Sequence, residues 1–387
     1  MLALTLSSIL LGLPAPQGLT QDKVIQKPAV HKGSLLIEAA EIHIGAGRII
    51  KNSAILVRDG KVQYVGKEIP NAARAGVTKR NFGKSIVVPG FVNPHSNLGH
   101  GDNLSEKIDS FTPELLAADA FDPFVRPVQL SANAGITTVG LTPSSLNAFA
   151  GQGAAVHTGR IGQLLVESTY LKMSMVDAAF DQNRYPTSRM GAAELIRSAF
   201  KEAGSAIGST NARLKILNDV IQGGRQLALH VQTEVEINSA LDLCKELKLS
   251  PLLIGCEEGH KCAKRIAAQS RGVILAPLSF ASSRQRLKLP ATLEKQGVPF
   301  SFMAERPEDL RISAALAVRY GASKQAVLKA LTENAAKHVE ADKLVGSLFQ
   351  GKSADFCVFE GHPLDLTSKL THTYIAGIQH DSDTEGK

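Results

Sequence analysis

The chain has 387 residues, 44% of them hydrophobic and 20% charged, an ordinary globular composition with length enough for a large barrel plus an accessory domain. Its 43 basic residues outnumber 36 acidic ones to give a net charge of +7, yet they seldom run beyond pairs such as Lys79-Arg80, and acidic residues interleave with them. That diffuse excess, with no Trp and few aromatics, excludes the concentrated basic face of a nucleic-acid binder and a platform for stacking bases.

Taken in chain order, residues 1–20 open as an apolar run, MLALTLSSILLGLPAPQGLT, that ends in small residues and prolines. It has the hydrophobic and cleavage regions of a secretory signal, with a cut expected after Ala15, although no Lys or Arg precedes it. The expectation is an exported protein, periplasmic or extracellular; the alternative is a cytoplasmic one. The run is short for a membrane span and no other segment is apolar enough, so no stable membrane insertion is expected.

Residues 34–88 predict short strands joined by turns. LLIEAAEIHIG, SAILVRDGKVQYVG and KSIVVPG alternate apolar and polar positions, and Asp59-Gly60 predicts a hairpin turn. Residues 343–379, with GSLFQGKSADFCVFEG and THTYIAG, have the same character. Between them, over 89–342, apolar runs such as GITTVGLTP, QLALHVQ, SPLLIG, GVILAP and VPFSFMAE alternate with helical stretches such as MGAAELIRSAFKEAG and EINSALDLCKELKL. The prediction is an α/β fold: a (β/α)8 TIM-like barrel over 89–342 with a small composite β-sandwich built from both ends of the chain.

Active sites of such barrels lie at the C-terminal ends of the strands. The polar residues that end the apolar runs are therefore the site candidates: His95, Asn97, His157, His230 and Glu305. Each alone reads as well as a cap or loop residue; their recurrence at strand ends points to a site. The cysteines, Cys244, Cys256, Cys262 and Cys357, form no CxxC pair and are expected to be small buried hydrophobes, with a Cys256–Cys262 disulfide left open.

The string VVPGFVNPHSNLG at 87–99 resembles the amidohydrolase opening, PGxxDxHxH, that ends the first barrel strand. The resemblance continues through NAGITTVGLTPSSLNAFAGQGAAVHTG, LALHVQTEVEINSALDLCKEL, CEEGHKCAKRIA and APLSFASSR. It closes on VGSLFQGKSADFCVFEGHPLD, similar to the family's return into its sandwich. On these strings the chain is identified as a member of the amidohydrolase superfamily, close to the imidazolonepropionase-like subgroup. The resemblance implies hydrolysis of amide or cyclic-amide C–N bonds by a divalent metal that acidifies a water, with an Asp on the last strand moving the proton.

Carried over residue by residue, the resemblance implies an altered centre. The first His of the HxH pair is His95, and the His closing the fifth strand is His230. The second His of the pair is Asn97, and the sixth-strand His falls on Gly255, which has no side chain. The subgroup's Lys, a metal-bridging residue when carboxylated, falls on His157, and the catalytic Asp falls on Glu305. The metal set the resemblance leaves is His95, His157 and His230, with Glu305 as catalytic carboxylate and Asn97 and Gly255 as degenerate positions. His100 and His260 are further imidazoles within reach of the same region.

Two readings follow. In one, the ancestral chemistry is lost and a pseudoenzyme binds a small-molecule ligand or a partner in the old pocket, with no metal. In the other, an active hydrolase holds a single zinc or other divalent ion in a rearranged site. Substrate and oligomeric state are not legible in the sequence.

Overall fold

Strands from the two ends of the chain share one sheet. The computed structural model describes residues 33–381 apart from 46, 70–75 and 207, so the export expectation for residues 1–20 lies outside the described residues. The first strands are β1 (Ser34–Gly45), β2 (Arg48–Arg58), β3 (Lys61–Gly66), β4 (Thr78–Asn81) and β5 (Ile86–Pro89). The Asp59-Gly60 turn joins β2 to β3, with both residues at positive φ (48° and 74°), the backbone that a tight hairpin needs and that Asp and Gly tolerate. A long middle region separates these strands from their partners at the other end of the chain.

That middle holds, in chain order, β6 (Phe91–Ser96), α1 (Arg126–Asn133), β7 (Ile136–Leu141), β8 (Phe149–Gln152), β9 (Ala154–His157), β10 (Leu164–Val166) and β11 (Leu171–Ser174). It continues through α2 (Arg189–Ser205), α3 (Ala212–Ile221), β12 (Leu227–Val231), α4 (Glu234–Glu246), β13 (Leu252–Gly255), α5 (Gly259–Gln269), β14 (Gly272–Leu275) and α6 (Arg284–Lys295). Last come β15 (Phe300–Phe302), α7 (Pro307–Arg319), α8 (Lys324–Leu331) and α9 (Glu333–His338). The chain then re-enters the first sheet as β16 (Phe356–Phe359), β17 (Leu370–Ile375) and β18 (Ile378–His380).

In that first sheet β16 pairs antiparallel with β5, Val358 opposite Val87, so the order runs β18-β17-β16-β5-β1-β2-β3 with β4 beside β1. Its core draws on both ends, through Ile37, Ile55, Val87, Phe356, Val358 and Tyr374.

The barrel strands follow the TIM-like plan. β11, β12, β13, β14 and β15 pair in parallel, as do β6 and β7. The third position departs from eight parallel βα units. There the run 149–157 lies antiparallel to both neighbours, β8 on β11 and β9 on β7. The reason is length: a parallel crossover takes about a dozen residues or more, and the connection from Leu141 to Phe149 is too short for one. Where β15 faces β6, the Asn93 amide bridges the seam, donating to the Ala304 carbonyl at 2.7 Å and accepting from the Ala304 N–H at 3.2 Å.

Alternation sorts the strand residues between the two faces of the barrel. On β12, Leu227, Leu229 and Val231 pack outward against the helices, and Ala228 joins the inner layer. On β11, Leu171 and Met173 pack outward, while the preceding Tyr170 belongs to the inner layer. By the same parity Lys172 and His230 fall on the inner face, one step nearer the C-terminal mouth. All four cysteines are buried free thiols. No helix among the described residues is long and apolar enough to cross a membrane.

Candidate functional site

At the C-terminal mouth of the parallel strands lies a cavity of about 360 Å3. Its walls include His95, Asn97, Lys172, His230, Glu257 and Glu305, together with Ser144, Ser145 and Gln232. Of the residues singled out in the sequence, the structure thus brings His95, Asn97, His230 and Glu305 to one cavity.

His157 is the correction. It is buried on β9, and its Nε2 lies 2.9 Å from Asp355 Oδ2, at the junction of the barrel with the sheet. Its strand runs antiparallel, so a strand-end position there does not lead to the mouth that the parallel strands share. His100 is also engaged elsewhere, with Nδ1 3.1 Å from the Asn97 carbonyl and Nε2 accepting from the Asp122 N–H at 3.0 Å. Neither His100 nor His260 lines the cavity.

A buried lysine on β11 stands where His157 does not reach, beside His95. Lys172 is 1% exposed, and its ammonium donates to the Pro143 carbonyl at 2.6 Å and lies 3.1 Å from His95 Nε2. It makes no ion pair with a carboxylate among the described residues, and burial pulls its pKa from 10.5 down to about 7. A trace of this was present in the sequence: TYLKMSM is an apolar run broken by one charge, and alternation puts that charge on Tyr170's face.

The two imidazoles differ in how they are held. The ring centroids of His95 and His230 are 6.3 Å apart. His95 is held well below the ordinary histidine value, first by burial and then by the charge of Lys172. His230 is lowered to about 3, again by burial first and Lys172 second. Its Nδ1 is 2.7 Å from Ser145 Oγ, and its Nε2 is buried with no hydrogen-bond partner among the described residues.

Asn97 and Gly255 are both constrained by backbone. Asn97 Oδ1 accepts from the Gly99 N–H at 3.0 Å, so its side chain shapes the turn that contains Leu98 at φ 48°. Gly255 has φ 92°, and a Cβ there would come within 2.7 Å of the Val231 carbonyl and 3.1 Å of His230 Nε2.

At the rim the acids are not equivalent. Glu257 pairs with Arg286 at 3.2 Å, whereas Glu305 is exposed and makes no ion pair or hydrogen bond among the described residues. Gln232 is positioned by the start of α4. There the Thr233 hydroxyl and Glu236 form a capping box, and Glu236 Oε2 also accepts from the Gln232 N–H at 2.7 Å.

The resemblance implies a divalent metal and a set of side chains to hold it. Among the described residues no three His, Cys, Asp or Glu side chains converge to hold an ion. A hydrolytic zinc needs about three protein ligands with an open position. Here His95 Nε2 faces the Lys172 amine, Asn97 is held in its turn, and Gly255 offers nothing. The residues as they stand do not fit the family's metal pair.

Comparison with known proteins agrees with this architecture. No family model matches the chain. The imidazolonepropionase of Shewanella sp. (strain ANA-3) is 24% identical over 387 residues, covering 87% of this chain and 93% of that protein. An amidohydrolase from Thermotoga maritima MSB8 superposes with a TM-score of 0.78 at 26% identity, covering 89% of this chain and 99% of that one. A zinc-bound adenosine deaminase from Xanthomonas campestris shares the fold at a TM-score of 0.52 and 16% identity, covering 91% and 93%. Sequence relatives, solved neighbours and the barrel with its polar mouth converge: the chain belongs to the amidohydrolase superfamily and is imidazolonepropionase-like.

Proposed function

We propose that this protein binds a small molecule in the cavity at the barrel mouth and does not carry out the family's metal-dependent hydrolysis. The observation that carries the reading is the Lys172 amine seated 3.1 Å from His95 Nε2, where the metal chemistry would need that imidazole free to ligate. Gly255 supports it, because its positive φ and the nearby Val231 carbonyl leave no room for a replacement ligand.

A second reading rests on the buried, unpartnered Nε2 of His230. That atom is placed as a ligand would be, and with His95 and Glu305 it favours an active hydrolase holding a single zinc or similar ion.

The test is metal content of the full chain purified without added metal, measured by plasma mass spectrometry beside a screen of amides, cyclic amides and lactams. A metal-free protein with no turnover is expected. Near-stoichiometric zinc with turnover abolished by chelation overturns the ligand-binding reading in favour of the second.

A further inference from the structure

A fully buried lysine is almost always paired with an acid, because an ammonium removed from water without a counter-charge is costly. Lys172 is buried and has no such pair among the described residues. Its two contacts, to the Pro143 carbonyl and His95 Nε2, engage two of the three N–H donors an ammonium carries. His230 presents a second uncommitted atom. In the tautomer whose Nδ1 accepts from the Ser145 hydroxyl, 2.7 Å away, the proton is on Nε2, which is buried, without a hydrogen-bond partner among the described residues, and in a residue that lines the same cavity. In that tautomer the base of the cavity offers one ammonium N–H and one imidazole N–H, and the lining acid Glu257 is already paired with Arg286. At its rim, Glu305 is a carboxylate without a partner among the described residues.

We infer that this cavity takes a small amino-carboxylate, its carboxylate seated on Lys172 and His230 and its ammonium directed to Glu305. The inference rests on the ligand-binding reading above and names the class of ligand. A carboxylate accepts both base donors through charge-assisted bonds and supplies the counter-charge the buried lysine lacks. The cavity volume of about 360 Å3 suits a molecule of this size.

The probes are glycine, 4-aminobutyrate and 6-aminohexanoate, with butyrate and butylamine as half-molecules, titrated calorimetrically into the full chain whose metal content has been measured. The expectation is saturable one-to-one binding of at least one amino-carboxylate, weaker binding of butyrate and none of butylamine. Lys172→Met should weaken that binding at least tenfold, and His230→Asn should weaken it several-fold. Glu305→Gln should weaken the amino-carboxylate and leave butyrate unchanged. His230→Asn and Glu305→Gln keep the test open should Lys172→Met fail to fold. A metal-free protein that binds none of the probes, or binds them equally well in all three variants, overturns this inference and leaves the ligand-binding reading standing. Near-stoichiometric metal in the purified protein overturns that reading instead.

Discussion

His157 on β9 and Asp355 just before β16 meet through a buried contact of 2.9 Å that ties the barrel to the sheet built from the chain ends. Asp355 is held from other sides too, since its Oδ1 accepts from the Ala376 N–H at 2.8 Å and the Ser353 hydroxyl at 2.6 Å. Burial alone would raise its pKa, but the charge of His157 and these hydrogen bonds together leave it below the ordinary 3.8.

Removing one partner of such a pair strands the other in the interior. Asp355→Ala should therefore cost about 3–5 kcal/mol in urea unfolding near neutral pH. The sign of the pH effect follows from a depressed carboxyl. Its stabilisation is full above the unfolded value of 3.8 and is lost as pH falls through the lower folded value. Asp355→Asn should flatten that part of the acid limb, and a cost for Asp355→Ala under about 1 kcal/mol would show that the junction does not depend on this contact.

Reinstating a ligand at Gly255 should fail. The position has φ 92°, and any Cβ meets the Val231 carbonyl at 2.7 Å, so strain and collision arise before a ring is placed. Gly255→His should cost on the order of 2–4 kcal/mol and add no zinc affinity, even when combined with Asn97→His and Glu305→Asp. Zinc calorimetry on native and triple-variant protein checks this, and a large gain in affinity would mean that the backbone relaxes to accept the imidazole.

The contrast between Gly255 and Lys172 shows which parts of the site were legible. Strand alternation, the Asp59-Gly60 turn and the recurrent apolar runs speak directly to the fold, since periodicity and turn chemistry are local properties of the chain. His95, Asn97, His230 and Glu305 end such runs and reach the cavity for the same reason. His157 also ends a run, but strand direction depends on the length of a connection and is not written in the run itself. Lys172 was missed because a lysine within an apolar strand looks like a surface residue until the barrel closes around it. The reversed backbone at Gly255 is likewise a tertiary feature, invisible in a residue type that fits any turn.

Asn93 gives a test of the seam between β6 and β15. Its amide makes two hydrogen bonds to Ala304, one as donor and one as acceptor, in a buried setting next to Glu305. Asn93→Ala leaves the Ala304 N–H and carbonyl without these partners and should cost about 2–4 kcal/mol. Hydrogen exchange should show the loosening first in Phe300–Phe302 and at Ala304. Exchange unchanged there would mean that packing alone holds the seam.

Removing the Lys172 charge should stabilise the fold, opposite to removing Asp355, although both groups make stability rise with pH, each in its own window. Burial lowers its pKa from 10.5 to about 7, so the folded protein disfavours the ammonium while the unfolded chain keeps it. Between those values the unfolded state binds more protons than the native state, and stability therefore rises with pH from about 7 towards 10.5. Below pH 7 both states carry the proton, and the full cost of burying a charge beside His95 is present. Lys172→Met keeps most of the side chain's volume and removes the charge. It should raise stability near neutral pH by about 2–4 kcal/mol and erase the alkaline rise, since methionine has nothing to titrate. Urea unfolding of native and variant protein across pH 6–10 measures both effects. A variant less stable than the native chain at pH 7, with the alkaline rise intact, would show that the interior already supplies Lys172 with a counter-charge. A stabilised variant that no longer responds to pH would identify Lys172 as a charge kept in the barrel mouth at the expense of the fold.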